Sequence, residues 1–137
     1  MFLLDTNVIS ELGRPSARAA PKVVAWAESV SQAELYLSVI TILEIEMGIL
    51  QVEHRNDHIQ ARNLRAWMEY IRPSFAGRIL SVDTEVALRC AQLHVPDPRN
   101  DRDALIAATA LVHDLTVVTR NVRHFSPMNS AVFNPWD

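Results

Sequence analysis

Short apolar runs alternate with longer helical patterns along this chain, and that alternation constrains its fold more than any other feature. Phe2-Leu3-Leu4 is an apolar run that stops abruptly at Asp5. Leu35 to Ile40 reads as a second strand, Arg78 to Val82 as a third and Thr116 to Thr119 as a fourth, with Ala131-Val132-Phe133 as a fifth at an edge. Helical spacing fills the intervals. Pro21 to Val30 carries Val23, Val24, Ala27 and Val30, with Pro21 suited to a first turn. Thr41 to Val52 follows the second strand, and Asp57 to Ile71 has a stripe of Ile59, Leu64, Trp67, Met68 and Ile71. Thr84 to Leu93 follows the third strand. Ala104 to Val112 is apolar except for Thr109, the pattern of a helix buried on all sides. Strands alternating with helices predict an α/β sandwich, a parallel sheet covered on both faces.

A length of 137 residues fits one domain spanning 1–137, and no repeat or linker interrupts it. Hydrophobic residues at 49% and charged residues at 21% argue against disorder. Cys90 is the only cysteine, which excludes an internal disulfide framework and a CxxC metal knuckle. No apolar stretch approaches the roughly 20 residues a bilayer requires, and the first residues lack a basic leader, so the expectation is a cytoplasmic protein without a membrane. The net charge of −3 argues against a polybasic nucleic-acid binder. Lys22 is the only lysine and the other twelve cations are arginines, which base composition explains as well as phosphate binding does.

Ligands of open parallel sheets bind beyond the carboxyl ends of the strands. Asp5 ends the first strand, Glu44 follows the second closely, and Asp103 opens the buried helix that leads into the fourth. Arg120, Asn121 and His124 come after the fourth strand. Carboxylates gathered at one sheet edge repel one another unless a cation lies between them, and hard oxygen ligands suit Mg2+ or Mn2+. Such an ion can polarise a phosphoryl oxygen and lower the pKa of water.

Each acid also has a structural reading. Asp5 before Thr6 and Asn7 suits a turn or a helix cap. Glu44 stands in capping-box spacing with Thr41. Asp103 complements a helix dipole, although Asp101 would serve as that helix's N-cap. Asp83 before Thr84 is read as a cap, on a strand away from the sheet centre. His54 and His58 are four apart, but Asn56-Asp57 between them marks a helix start and places them in a solvated turn. Cys90, Trp26 and Trp67 read as packing residues, and His113 as a helix-end charge.

Taken in order, Leu-Leu-Asp5-Thr6-Asn7, Ser38-Val-Ile-Thr41 with Glu44, Asp103-Ala-Leu-Ile-Ala-Ala-Thr-Ala110 and Thr119-Arg120-Asn121 resemble the PIN-domain ribonucleases. The likeness is to VapC-type toxins of type II toxin–antitoxin pairs. Ser74 to Leu80 and the tail Ala131 to Trp136 resemble the FitB-like branch. The resemblance implies a three-layer α/β/α sandwich around a mostly parallel sheet of four to five strands. It implies a metal-dependent endoribonuclease, with Mg2+ or Mn2+ held by Asp5, Asp103 and Glu44, and with Thr6 and Asn121 in support. It further implies an RNA substrate, a homodimer, and a cognate VapB-type antitoxin through which alone operator DNA is contacted. The family's frequent fourth acid, three residues after the motif asparagine, is His124 here, which opens the metal count to one or two. It also admits an alternative, a weakly active or inactive partner that serves mainly as a dimeric binding module for the antitoxin. The segment Pro96-Asp-Pro-Arg99 before Asp101 looks shorter than in some members of the family, which implies a reshaped wall of the RNA groove rather than a change in the chemistry. Arg99, Arg102, Arg120 and Arg123 flank the last two motif elements and are the candidate phosphate contacts. Two other acid-bearing α/β families fit poorly. A receiver domain needs a lysine after its last core strand, and a haloacid-type phosphatase needs an acid where Asn7 stands.

Overall fold

A computed structural model describes residues 1–137. Its sheet has five parallel strands in the order β3-β2-β1-β4-β5, where β1 is Phe2–Leu4, β2 Leu35–Ser38, β3 Ile79–Leu80, β4 Thr116–Val118 and β5 Val132–Phe133. All five expected strands form, most of them shorter than the apolar runs, with β3 and β5 at the edges. Seven helices join them: α1 Thr6–Leu12, α2 Pro21–Ser29, α3 Val39–His54, α4 His58–Ser74, α5 Thr84–Leu93, α6 Asp101–His113 and α7 Val122–Phe125.

Period-two alternation in the strands divides the core into two layers. Leu3 and Val117 point to one face, where they meet Val86 and Cys90 of α5, Ile106 and Ala107 of α6, and Phe125 of α7. Leu4, Leu37 and Val118 point to the other, against Val8 and Ile9 of α1, Val23 of α2, Ile45 and Ile49 of α3, and Met68 and Ile71 of α4. The sheet is thus covered on both sides, as a parallel sheet must be. Trp26 packs edge-on against Phe2 with ring centres 5.2 Å apart. Gly13 closes α1 where the Trp67 indole crosses it so closely that a Cβ would lie 2.5 Å from the ring.

Several boundaries differ from the sequence reading, and at two of them the cause is capping. β2 ends at Ser38 rather than Ile40, because the Ser38 hydroxyl accepts the Ile40 N–H at 3.0 Å and starts α3 there. Thr41 is consequently inside the helix, fully buried, and the capping box of Thr41 with Glu44 does not form. Asn100, not Asp101, caps α6 by accepting the Asp103 N–H at 3.1 Å. Helix α4 continues past Ile71 through Pro73 to Ser74, its proline falling in the last turn. Asp83 does cap α5, by accepting the Val86 N–H at 3.0 Å. His54 ends α3 and His58 begins α4, so the two do not share a helix face.

Chain order and sheet order part company between β1 and β4. From β1 the chain winds outward through β2 and β3, then crosses back to β4 and β5 on the opposite side. The carboxyl ends of β1 and β4 therefore border a crevice that no crossover connection fills, the usual ligand site of an open α/β sheet.

Candidate active site

Asp5 lies at that crevice. Its N–H donates to the Val118 carbonyl at 2.9 Å, extending the β1–β4 ladder by one rung before the chain turns into α1. Asp5 is also the N-cap of α1, so both halves of its cap-or-site reading meet in one residue. Only 5% of the residue is exposed. One carboxylate oxygen, Oδ1, accepts the Thr6 N–H at 2.8 Å. The other, Oδ2, accepts the Thr119 hydroxyl at 2.7 Å and the Asn7 side-chain amide at 3.3 Å. Burial lifts the Asp5 pKa above the ordinary carboxylate value; the bonds from Thr119 and Thr6 oppose this, and the negative charges of Asp103 and Glu44 add to it.

Thr119 holds this corner together. It is fully buried one residue beyond β4, and its N–H is fixed by the Phe133 carbonyl at 2.9 Å. Besides donating to Asp5, its hydroxyl accepts the Asn121 N–H at 3.0 Å and the Asn7 amide at 3.3 Å. Asn7 closes the ring by accepting the Arg120 N–H at 3.2 Å. The motifs around Asp5 and around Thr119, more than a hundred residues apart, form one polar network. Neither Thr119 nor Asn7 is assigned a role by the sequence reading. The signal was available, since a buried threonine directly after a central strand needs a partner for its hydroxyl.

Glu44 and Asp103 stand around Asp5. Freed from a capping box, Glu44 accepts the Thr6 hydroxyl through Oε1 at 2.7 Å, while its Oε2 faces an Arg102 guanidinium nitrogen at 3.8 Å. Asp103, in the first turn of α6, faces a ring nitrogen of His124 through Oδ2 at 3.3 Å. The expected supporting residues thus divide. Thr6 supports Glu44 with its side chain, whereas Asn121 enters the network through its backbone N–H.

These are hard oxygen donors, and the repulsion from Asp103 and Glu44, which adds to burial in raising the Asp5 pKa, is the kind a divalent cation relieves. In that chemical sense the residues fit such an ion. The side chains as placed, turned toward Thr6, Arg102 and His124, do not close into a ready group of three or more ligands.

The candidate phosphate contacts take different positions. Arg102 lies against Glu44 and against the Met47 sulfur at 3.6 Å. Arg120 is exposed, with its guanidinium 5.2 Å from the centre of the Trp136 ring. Arg123 is exposed on the single turn of α7. Arg99 is half-buried, with its Nε enclosed and unpaired.

Replacing Thr119 by valine keeps its shape and removes the shortest bond to Asp5. The expected loss is about 1–3 kcal/mol of stability, the usual cost of leaving a buried acceptor short of a donor. Because the bond favours the ionised carboxylate, the deficit should be larger at pH 8 than at pH 5. Urea melts at the two values check it, and an equal deficit at both would contradict the role given to the hydroxyl.

Known proteins resemble this chain in sequence and fold. A family model described as PIN domain matches residues 2–128. Toxin FitB of Neisseria gonorrhoeae is 41% identical over 142 residues, covering 99% of both chains. A VapC ribonuclease of Sinorhizobium fredii is 33% identical, covering 100% of this chain and 99% of its own. Among solved structures, FitAB bound to a DNA fragment contains a chain that superposes with a TM-score of 0.85 at 39% identity, over 100% of this chain and 96% of that one.

Proposed function

The chain belongs to the PIN-domain family, and from that premise we propose that it is a divalent-cation-dependent endoribonuclease, the toxin of a type II toxin–antitoxin pair. The observation that carries the proposal is the crevice between β1 and β4, where a buried Asp5 feels the charges of Asp103 and Glu44. Asp5, Asp103 and Glu44 are the residues that would hold Mg2+ or Mn2+. When bound, the ion supplies positive charge that polarises a phosphoryl oxygen and lowers the pKa of water.

The chain's own groups prepare the site. Thr119 and Asn7 hold the Asp5 carboxylate in place, and Thr6 holds that of Glu44 through its hydroxyl. Arg102 faces Glu44 at the edge of the acids, where its guanidinium would meet an RNA phosphate. Arg120 keeps its charge at the exposed rim, stacked on Trp136.

The proposal includes partners. An open apolar groove of about 600 Å³ between α1, α2 and α4, lined by Leu12, Val24, Ala27, Trp67 and Ile71 among others, would receive the antitoxin. Operator DNA would then be contacted through the antitoxin alone. Val39, Leu43, Met47 and Leu50 form an exposed apolar stripe on α3 that supports a homodimer.

The test is RNA cleavage by the purified chain with added Mg2+ or Mn2+, with EDTA, and with an Asp103→Asn variant. Cleavage should require the cation and should be lost in the variant. Activity that persists in EDTA would refute the reading. Replacing Arg102 and Arg120 together by alanine should weaken RNA binding and flatten its dependence on salt. The log–log slope should fall by about 0.7 for each single-strand phosphate that the variant no longer neutralises. An unchanged slope would exclude both arginines from the RNA path.

A further inference from the structure

The acids of the crevice have an imidazole beside them, a nitrogen ligand able to coordinate a metal. His124 lies on α7, a single turn whose next residue, Phe125, is fully buried in the core, so the histidine is carried on an anchored element. Its ring nitrogen is 3.3 Å from Asp103 Oδ2, and Asp103 is the one acidic side chain within ion-pair reach of it. The histidine side chain is 58% exposed and that of Asp103 is 23% exposed, leaving both room to turn toward a common ligand.

A site built only of carboxylates and water suits Mg2+, which demands oxygen ligands and dehydrates reluctantly. Adding an imidazole changes that preference. Nitrogen donors strengthen binding of first-row transition dications in the order Mn2+ below Co2+ below Ni2+, and they do little for Mg2+. Arg102, the cation nearest the acids, lies on the Glu44 side of the cluster at 3.8 Å, whereas the Asp103 side is bordered by His124.

We propose that His124 is a metal ligand together with Asp103, and that it makes this a mixed nitrogen–oxygen site selective for first-row transition dications over Mg2+. The inference rests on the reading of the crevice as a cation centre, and it names which class of cation the centre takes. His124 in this role touches the ion and not the RNA.

The experiment titrates the whole chain with Mg2+, Mn2+ and Co2+ by calorimetry, and records the electron spin echo of the Mn2+-loaded protein for coupling to nitrogen. The wild-type chain should bind Co2+ more tightly than Mn2+, and Mn2+ more tightly than Mg2+, and its Mn2+ form should show a nitrogen coupling. In His124→Ala the coupling should vanish and Mn2+ affinity should fall by at least the ~10-fold that loss of a less direct partner costs a metal site. His124→Asp should also lose the coupling but regain affinity for Mg2+, which separates ligand chemistry from damage to the fold. Mn2+ bound without nitrogen coupling, or with unchanged affinity in His124→Ala, overturns this inference and leaves the cation centre standing. Absence of binding by any of the three ions, or binding indifferent to Asp5→Asn, overturns both.

Discussion

Asp5→Asn should abolish RNA cleavage while making the cation-free protein more stable. The activity loss is expected on the order of 10³-fold or more, the scale seen when a group central to a catalytic unit is removed. The stability gain follows from the sign of the pKa shift. Folding raises the Asp5 pKa, so the folded state binds its proton more tightly than the unfolded chain does. Above the raised value the carboxylate is ionised in both states, and the folded state bears the cost of burial and of the Asp103 and Glu44 charges. As pH falls through the folded pKa toward the ordinary aspartate value of 3.8, the folded state takes up the proton and the cost disappears. Asparagine removes the charge at every pH. The variant should therefore melt higher than wild type at pH 8, by about 4 °C per kcal/mol for a domain of this size, and the gap should close toward pH 4. Adding Mn2+ should raise the melting temperature of wild type and leave that of the variant nearly unmoved. A variant less stable than wild type at pH 8 would show that the hydrogen bonds of Thr119 and Thr6 outweigh burial and repulsion.

Phe125→Ala should produce the largest loss of stability. The ring is fully buried on the face lined by α5 and α6, and truncating such a side chain costs about 3–5 kcal/mol. That is a large part of the roughly 5–15 kcal/mol that holds a domain folded. The melting temperature should fall by roughly 12–20 °C. Phe125→Leu, which keeps most of the volume, should recover much of the difference. A fall of only a few degrees for the alanine variant would mean that α7 contributes little to the core and holds His124 loosely.

Both predictions concern residues whose surroundings a linear reading sees unequally. Asp5 announces itself, because a charge directly after a buried apolar run needs a reason. Phe125 does not, since the Val122–Phe125 turn is too short to show helical periodicity. Glu44 falls between the two. Its spacing from Thr41 fits a capping box, and local pattern could not reveal that Ser38 takes the cap three residues earlier. The same kind of displacement moved the α6 cap from Asp101 to Asn100, because neighbouring polar residues compete for a helix start on nearly equal terms.

By itself the sequence determined the class of fold and the gathering of acids at one end of the sheet. Period-two and period-3.6 patterns are written in consecutive residues, and parallel strands bring their following residues to the same edge. The ordered motifs also sufficed to place the chain among the PIN-domain proteins. Tertiary structure alone decided who holds whom at the site: Thr119 on Asp5 across 114 positions, Thr6 on Glu44 across 38, and His124 against Asp103. Those pairings depend on which strands lie beside β1, a consequence of sheet order and register that no local pattern encodes. Hydrogen bonds and charges act over a few ångströms, so the chemistry of each acid was settled only when the sheet set its neighbours.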